Sequence, residues 1–291
     1  GTGLGPARIR DCRPGRRSTD PGQSLPGHGK RSAGRHRTQR VAPVPAAADR
    51  SGLSSAISGY IWFEQMLSNS GVDVGFFTSG EDNVADQEVI TNALTYLQAE
   101  YQLVLIHIDQ IDYAGHHEGG PLGDGWKTAA SRSDEFLGNI INQLDFRQDT
   151  LLLLSDHGQI DKGGHGGDDN ICLTEPFVAI GKSIIPGIYP DIDMVDIAPT
   201  VAVLLGTNIP ASNQGHPLFD ILDLTPSHED SVLQALEKQQ NKLFDTYAQA
   251  IDFPVNVLDN YSVQETQQAM EQSRLAKLAR ERIWMNLISV F

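Results

Sequence analysis

Thr150-Leu151-Leu152-Leu153-Leu154-Ser155-Asp156-His157-Gly158 is the stretch on which the fold turns. Four consecutive leucines carry no polar alternation, so this run fits a strand covered on both faces, as in a parallel sheet packed by helices. The run stops at a serine, and Asp156, His157 and Gly158 follow at once. In a continuing strand Asp156 and His157 would point to opposite faces. They share one focus only if the strand ends near Ser155, and Gly158 permits the turn. A second apolar run, Leu103–Ile108, leads into a similar cluster: Asp109, Asp112, Gly115, His116, His117 and Glu118. Open α/β sheets place their sites at the carboxyl ends of strands, where both clusters fall.

The rest of the chain reads outward from these two strands. Residues 58–68 are expected to be helical and Val72–Phe77 a short strand. Val89, Ile90, Ala93, Leu94 and Leu97 recur at helical spacing, predicting an amphipathic helix over 86–100. Phe136, Leu137, Ile140, Ile141 and Leu144 predict another over 129–145. Phe177–Ile180 reads as a strand and Ile197–Leu205 as a helix stopped by Gly206. Strand and helix in alternation predict an α/β domain over residues 53–225, with a mainly parallel central sheet flanked by helices. From 226 to 291 the pattern becomes a polar helical tail. Ser262 and Glu265 fit a capping box within it. The last stretch, Arg280–Phe291, fits either an amphipathic helix or the beginning of a membrane span.

Composition splits the chain in two. The 291 residues carry a formal charge of −15, with 22 basic and 37 acidic side chains. Residues 1–50 hold ten Arg, one Lys and three Asp, a balance of +8, so the remainder stands at −23. A chain this acidic excludes nucleic acid as a partner for the whole. Two cysteines, Cys12 and Cys172, exclude a disulfide scaffold. No 18-residue apolar run gives a complete membrane span. Residues 1–52 have no apolar period and abundant Arg, Gly and Pro, which predicts disorder. Two origins fit that segment: a basic arm, or a shifted reading frame in GC-rich DNA.

Carboxylate oxygen and imidazole nitrogen are the ligands of catalytic zinc and also suit manganese. Cysteine is absent from both clusters, which excludes a structural thiolate zinc site. Each cluster alone is a weak signal. Two of them at strand ends of one sheet point to a shared metal site.

Asp112 to His116 matches the Asp-Xaa-Xaa-Gly-His element of the alkaline-phosphatase superfamily, and Ser155-Asp156-His157-Gly158 matches its Ser-Asp-His-Gly element. Within that superfamily the chain resembles the phosphodiesterase and nucleotide-pyrophosphatase branch. It is especially similar to glycosylphosphatidylinositol ethanolamine-phosphate transferases. The short spacing from Asp156 to His165 and the Val195–Val201 element carry that similarity, followed by Leu204-Leu205-Gly206 and Ile209-Pro210. The resemblance spans residues 58–220 and implies an alkaline-phosphatase-like fold with two divalent cations, zinc or else manganese. Asp112, His116 and His165 would hold one ion, and Asp156 and His157 the other. A Thr or Ser nucleophile and an Asp on the first strand would complete the centre. Both should lie upstream of residue 58, where Thr2, Thr19, Thr38, Asp11, Asp20 and Asp49 match no family context. The catalytic nucleophile is therefore unassigned.

The resemblance implies phosphoryl or phosphodiester transfer on a small-molecule or lipid-linked phosphate ester, at a membrane or outside the cytoplasm. Two rival readings remain open. A sulfatase or phosphomutase relative would explain Cys12-Arg13-Pro14-Gly15-Arg16, which fits a sulfatase element literally. A truncated, non-catalytic metal-binding domain would explain the missing nucleophile. His117, Glu118, Asp168 and Asp169 are candidates to orient the ligands. His107 is expected to be a packed core histidine, Lys162 a solvated loop lysine, and Trp126 a core residue. Gln159 has no role on sequence grounds.

Overall fold

The computed structural model describes residues 43–254 and 263–288. In chain order the helices and strands are Val44–Arg50 (α1), Ser55–Tyr60 (β1), Ile61–Leu67 (α2), Val74–Thr78 (β2), Asn83–Gln98 (α3), Leu103–Ile106 (β3) and Gln110–His117 (α4). Asp124–Ile141 (α5), Thr150–Leu154 (β4), Phe177–Gly181 (β5), Ile197–Leu204 (α6), Pro226–Ala250 (α7) and Val263–Ile288 (α8) follow. Strands β2, β1 and β3 form a parallel sheet with β1 in the middle, Ala56 facing Val74 on one side and Val104 on the other. Helices flank it, so the expected mixed α/β class holds.

Strands β4 and β5 form a second, two-stranded antiparallel sheet, Leu152 opposite Ala179, so the two strand ends expected in one sheet belong to two, and Leu153 and Leu154 of β4 are partly open to solvent rather than covered on both faces. A parallel return needs a crossover, usually a helix. Between these strands the chain offers only a three-residue 3-10 turn, Asn170–Cys172, so it returns antiparallel.

Two sequence expectations are corrected at the start of the domain. Residues 58–60 belong to a strand, and the helix begins only at Ile61. Strand β1 is Ser-Ala-Ile-Ser-Gly-Tyr, too small and polar to read as an apolar run. Yet Ser55, Ala56, Ile57 and Ser58 are all buried. The Ser58 hydroxyl is satisfied by donating to the Val89 carbonyl of α3, at 2.7 Å. Residues 44–50, assigned to a disordered segment, instead form α1. Its Ala48 packs with Leu53 and Leu205, and Val44, Leu103 and Val201 join them. The alanine-rich stretch is a good helix former, and Pro45 stands in the first turn where its missing N–H costs nothing. Residues 1–42, with Thr2, Thr19, Thr38 and the Cys12 element, lie outside the described residues.

Helices α3 and α5 meet over the sheet through Ile90, Leu97, Phe136 and Ile140, with Val104 and Ile106 of β3 beneath them. Helix α7 is fastened to the domain where Val232 joins Ile184, Val203, Leu204, Ile221 and Leu222. Thr225 caps it by accepting from the His228 N–H. Beyond it, Ala248, Ile251 and Phe253 pack with Met270 of α8. Arg280–Ile288 lie in α8, whereas Ser262 and residues 289–291 fall outside the described residues. Among the described residues no helix is long and apolar enough to cross a membrane.

Candidate metal centre

The centre is built from two connections. The first leaves β3 through His107, Ile108 and Asp109 and enters α4. Asp112 and His116 are one turn apart on α4, so they share a face. The helix start is held from outside. Asp86 of α3, only 1% exposed, accepts the Asp109 N–H at 3.0 and 3.1 Å and the Gln110 N–H at 3.0 Å. Asp109, at the helix boundary, makes no such bond with its own side chain. A carboxylate at a helix N-terminus satisfies orphan donors and complements the dipole. Burial pushes the Asp86 carboxyl up, and these backbone bonds oppose that rise.

The second connection leaves β4 at Leu154. The Ser155 hydroxyl donates to the His157 carbonyl at 2.7 Å and turns the chain out of the strand. The loop then swings back under α4. At Gly163, where φ is +82°, a Cβ would overlap the Gly115 carbonyl of α4. Only glycine allows that approach, and two residues later it delivers His165 to Asp112.

Of the five expected ligands, the structure gathers Asp112, His116, His157 and His165, and leaves Asp156 at the edge. Asp112 is the hub: Oδ1 lies 3.5 Å from His165 Nε2 and 3.9 Å from His157 Nε2, and Oδ2 lies 3.5 Å from His116 Nε2. His157 and His165 stack with centroids 3.8 Å apart, and the His116 ring is 5.0 Å from His165. Asp156 Oδ1 is 3.9 Å from His157 Nε2 and is the outermost member, 74% exposed. Ligand atoms of Asp112, His157 and His165 all fall within 4.8 Å of one another. Around a tetrahedral ion at about 2.1 Å, ligands stand about 3.4 Å apart, so a small contraction closes the shell. This trio takes Asp112 and His165 from one expected ligand set and His157 from the other. Beside it opens a cavity of about 320 Å³, with Asp156, His157, His165, Leu173 and Met194 on its walls.

The electrostatics are those of crowded acid. Burial raises the Asp109 carboxyl to about 7, with Glu81, Asp86, Asp112 and Asp156 adding to the rise. Burial lowers the His107 imidazole, against the pull of Asp156 and Asp112. Its ring packs on Phe63 at 4.9 Å, as a core histidine does. A cation among these carboxylates would relieve their repulsion.

The residues expected to orient ligands have other partners or lie open to solvent. His117 stacks on Tyr113 at 4.4 Å, and its Nδ1 lies 2.9 Å from the Tyr113 carbonyl. Glu118 lies over Gly125 at the start of α5. Asp168 and Asp169 are exposed loop residues, and Lys162 is exposed as well. Two other side chains take up contacts of that kind. Gln159 donates to Asp112 Oδ1 at 2.6 Å, and the Trp126 indole donates to Gln159 Oε1 at 2.8 Å. No local signal marks such a pair, because its members stand 33 and 47 residues apart.

The family model of type I phosphodiesterase / nucleotide pyrophosphatase matches residues 46–255, more than half of the chain. The human GPI ethanolamine phosphate transferase 3 catalytic subunit is 28% identical over 189 residues, covering 58% of this chain and 17% of its own length. GPI ethanolamine phosphate transferase 3 of Schizosaccharomyces pombe is 30% identical over 145 residues, 47% of this chain and 15% of its own. The chain therefore spans less than a fifth of the length of these two relatives. Among solved structures, Leishmania mexicana phosphoglycerate mutase overlaps 59% of this chain and 38% of its own at 18% identity, with a TM-score of 0.42. An inactive murine ectonucleotide pyrophosphatase / phosphodiesterase 5 in complex with AMP covers 40% of this chain and 32% of its own at 20% identity, with a TM-score of 0.34. The match over α1 to α7, with both strand-end clusters inside it, makes this chain a member of the type I phosphodiesterase / nucleotide pyrophosphatase family, in the alkaline-phosphatase superfamily.

Proposed function

We propose that this chain supplies most of a two-cation centre, with zinc as the preferred ion, for hydrolysis or transfer at a phosphoric ester. The approach of His157 and His165 on one connection to Asp112 and His116 on another, with Asp156 beside His157, supports this reading. Asp112, His116 and His165 hold one ion, with His157 close enough to be shared. Asp156 and His157 face the other, which needs a further ligand to reach the usual three. Bound cations supply Lewis acidity and neutralise phosphoryl charge.

The protein's own groups do the remainder. The imidazoles would offer Nε2 to an ion, and Asp112 would offset its charge from a helix fixed by Asp86. The cavity beside the loop receives the phosphoryl group, with Leu173 and Met194 flanking its apolar side. Within the described residues upstream of position 58, Ser51 ends α1, and Ser54 and Ser55 stand at the amino end of β1, the end away from the cluster. The nucleophile is accordingly assigned to a segment outside the described residues. The relatives' names, transferases of ethanolamine phosphate on GPI, favour a lipid-linked phosphate ester as substrate and a membrane-associated setting.

The test measures bound zinc by calorimetry and hydrolysis of bis(p-nitrophenyl) phosphate, with an aryl sulfate as control. The chain should bind zinc, and His165→Ala should lose it. Activity is expected only in a version that carries an in-frame upstream strand. A chain that binds no zinc contradicts the assignment.

A further inference from the structure

Asp112 is the hub of the cluster, and a hub that rotates cannot hold several partners at once. Its carboxylate touches one non-ligand side chain that fixes it. Gln159 is 9% exposed and packs against the α4 backbone at Gly115, where any Cβ would overlap its amide. Its Nε2 donates to Asp112 Oδ1 at 2.6 Å and reaches the Asp112 carbonyl at 3.4 Å.

The direction of that amide is not arbitrary. An indole has a donor and no acceptor. Trp126 Nε1 stands 2.8 Å from the other end of the amide, so the Gln159 oxygen must face Trp126 and its NH2 must face Asp112. With the amide reversed, two N–H groups would confront each other and two oxygens would meet at Asp112. The outcome is a three-member chain, Trp126 to Gln159 to Asp112, running from the first turn of α5 to the metal cluster. One lone pair of Oδ1 is taken by the amide. The other remains for the side where His157 and His165 stand, and Oδ2 is left to His116.

We infer that Gln159 and Trp126 are positioning residues: Gln159 sets the rotation of the Asp112 carboxylate for cation binding, and Trp126 sets the orientation of Gln159. This rests on the proposed cation site. Outer partners of this kind are typically worth about 10- to 100-fold in metal affinity.

The experiment uses the whole chain and a double-mutant cycle in Gln159→Met and Trp126→Phe. Zinc affinity is read by calorimetry, the Co(II)-loaded form by its visible absorption, and metal-free folding by circular dichroism and thermal melting. Gln159→Met should weaken zinc by about tenfold or more and change the Co(II) bands. Trp126→Phe, which keeps an aromatic ring, should give a smaller loss in the same direction. The double variant should be no worse than Gln159→Met, because Trp126 acts through Gln159. Should Gln159→Met fail to fold, Trp126→Phe alone still carries the test through affinity and spectrum.

Zinc binding by the wild type, with neither variant altering affinity or Co(II) bands, overturns the positioning role alone. Losses that add in the double variant overturn the relay through Gln159. Absence of zinc binding in the wild type overturns the cation site, and this inference falls with it.

Discussion

Asp112 and His116 ride on α4, a helix whose start is fastened by a buried carboxylate and whose flank is braced by Gln159. Asp156, His157 and His165 instead hang from residues 155–176, where a single 3-10 turn is the only regular element. One side of the cleft is therefore a hydrogen-bonded helix. The other is a loop held by scattered turns, such as Gly158 N–H to the Cys172 carbonyl, and by close glycine packing against α4. Metal binding should change the second side more than the first, because the stretch that carries His165 lies outside regular structure.

The largest effect is expected where the helix side is fastened. Asp86→Ala leaves one buried and one half-buried N–H group at the start of α4 without an acceptor and should cost about 3 kcal/mol of stability in urea unfolding. Asp86→Asn keeps one acceptor and should cost less. A loss below about 0.5 kcal/mol for the alanine variant would mean that α4 is held by something other than Asp86.

Zinc sharpens the comparison from the other side. At a free concentration 100 times the dissociation constant it should add about 2.7 kcal/mol to stability. Amide hydrogen exchange should slow over residues 157–172 more than over 110–117. Equal protection on both sides would break the distinction.

Asp109 adds a pH signature. Its folded pKa of about 7 lies above the ordinary carboxyl range, so the fold prefers its protonated form. That contribution is fully present below about pH 4, the unfolded value, and is lost as pH rises through 7. In metal-free protein, Asp109→Asn should flatten the decline in stability between those limits. Parallel curves for wild type and variant would contradict the assignment. The smallest effect belongs to His117→Ala. Its ring is engaged with Tyr113, so zinc affinity should move by less than about twofold.

The parts of this molecule that were legible in sequence are those whose signal is local. Leu103–Ile106 and Thr150–Leu154 announced themselves as strands, though neither is covered on both faces as expected, and the candidate ligands followed directly at their ends. Helix α3 was legible from its periodicity and α6 from an apolar run stopped by Gly206, whereas α5 begins and ends several residues before its expected bounds. Strand β1 was not, because its burial is achieved with Ser, Ala and Gly, residues that hydropathy does not mark. Helix α1 was hidden by averaging its alanines with the Arg- and Gly-rich sequence before it. Asp86 looked like any acidic residue of an amphipathic helix, and Gln159 like any loop amide. Their roles are hydrogen bonds across 23, 24 and 47 residues, which no period or spacing encodes. The order of the chain told where the candidate ligands lie, and only the packed structure showed the hydrogen bonds around them.

The central claim is that the two connections share cations. Crystals soaked in zinc, with anomalous data recorded on both sides of the zinc edge, test it directly. The account predicts a peak within about 2.0–2.2 Å of ligand atoms from Asp112, His116 and His165. A zinc-bound crystal with no anomalous peak in bonding distance of Asp112 would contradict it.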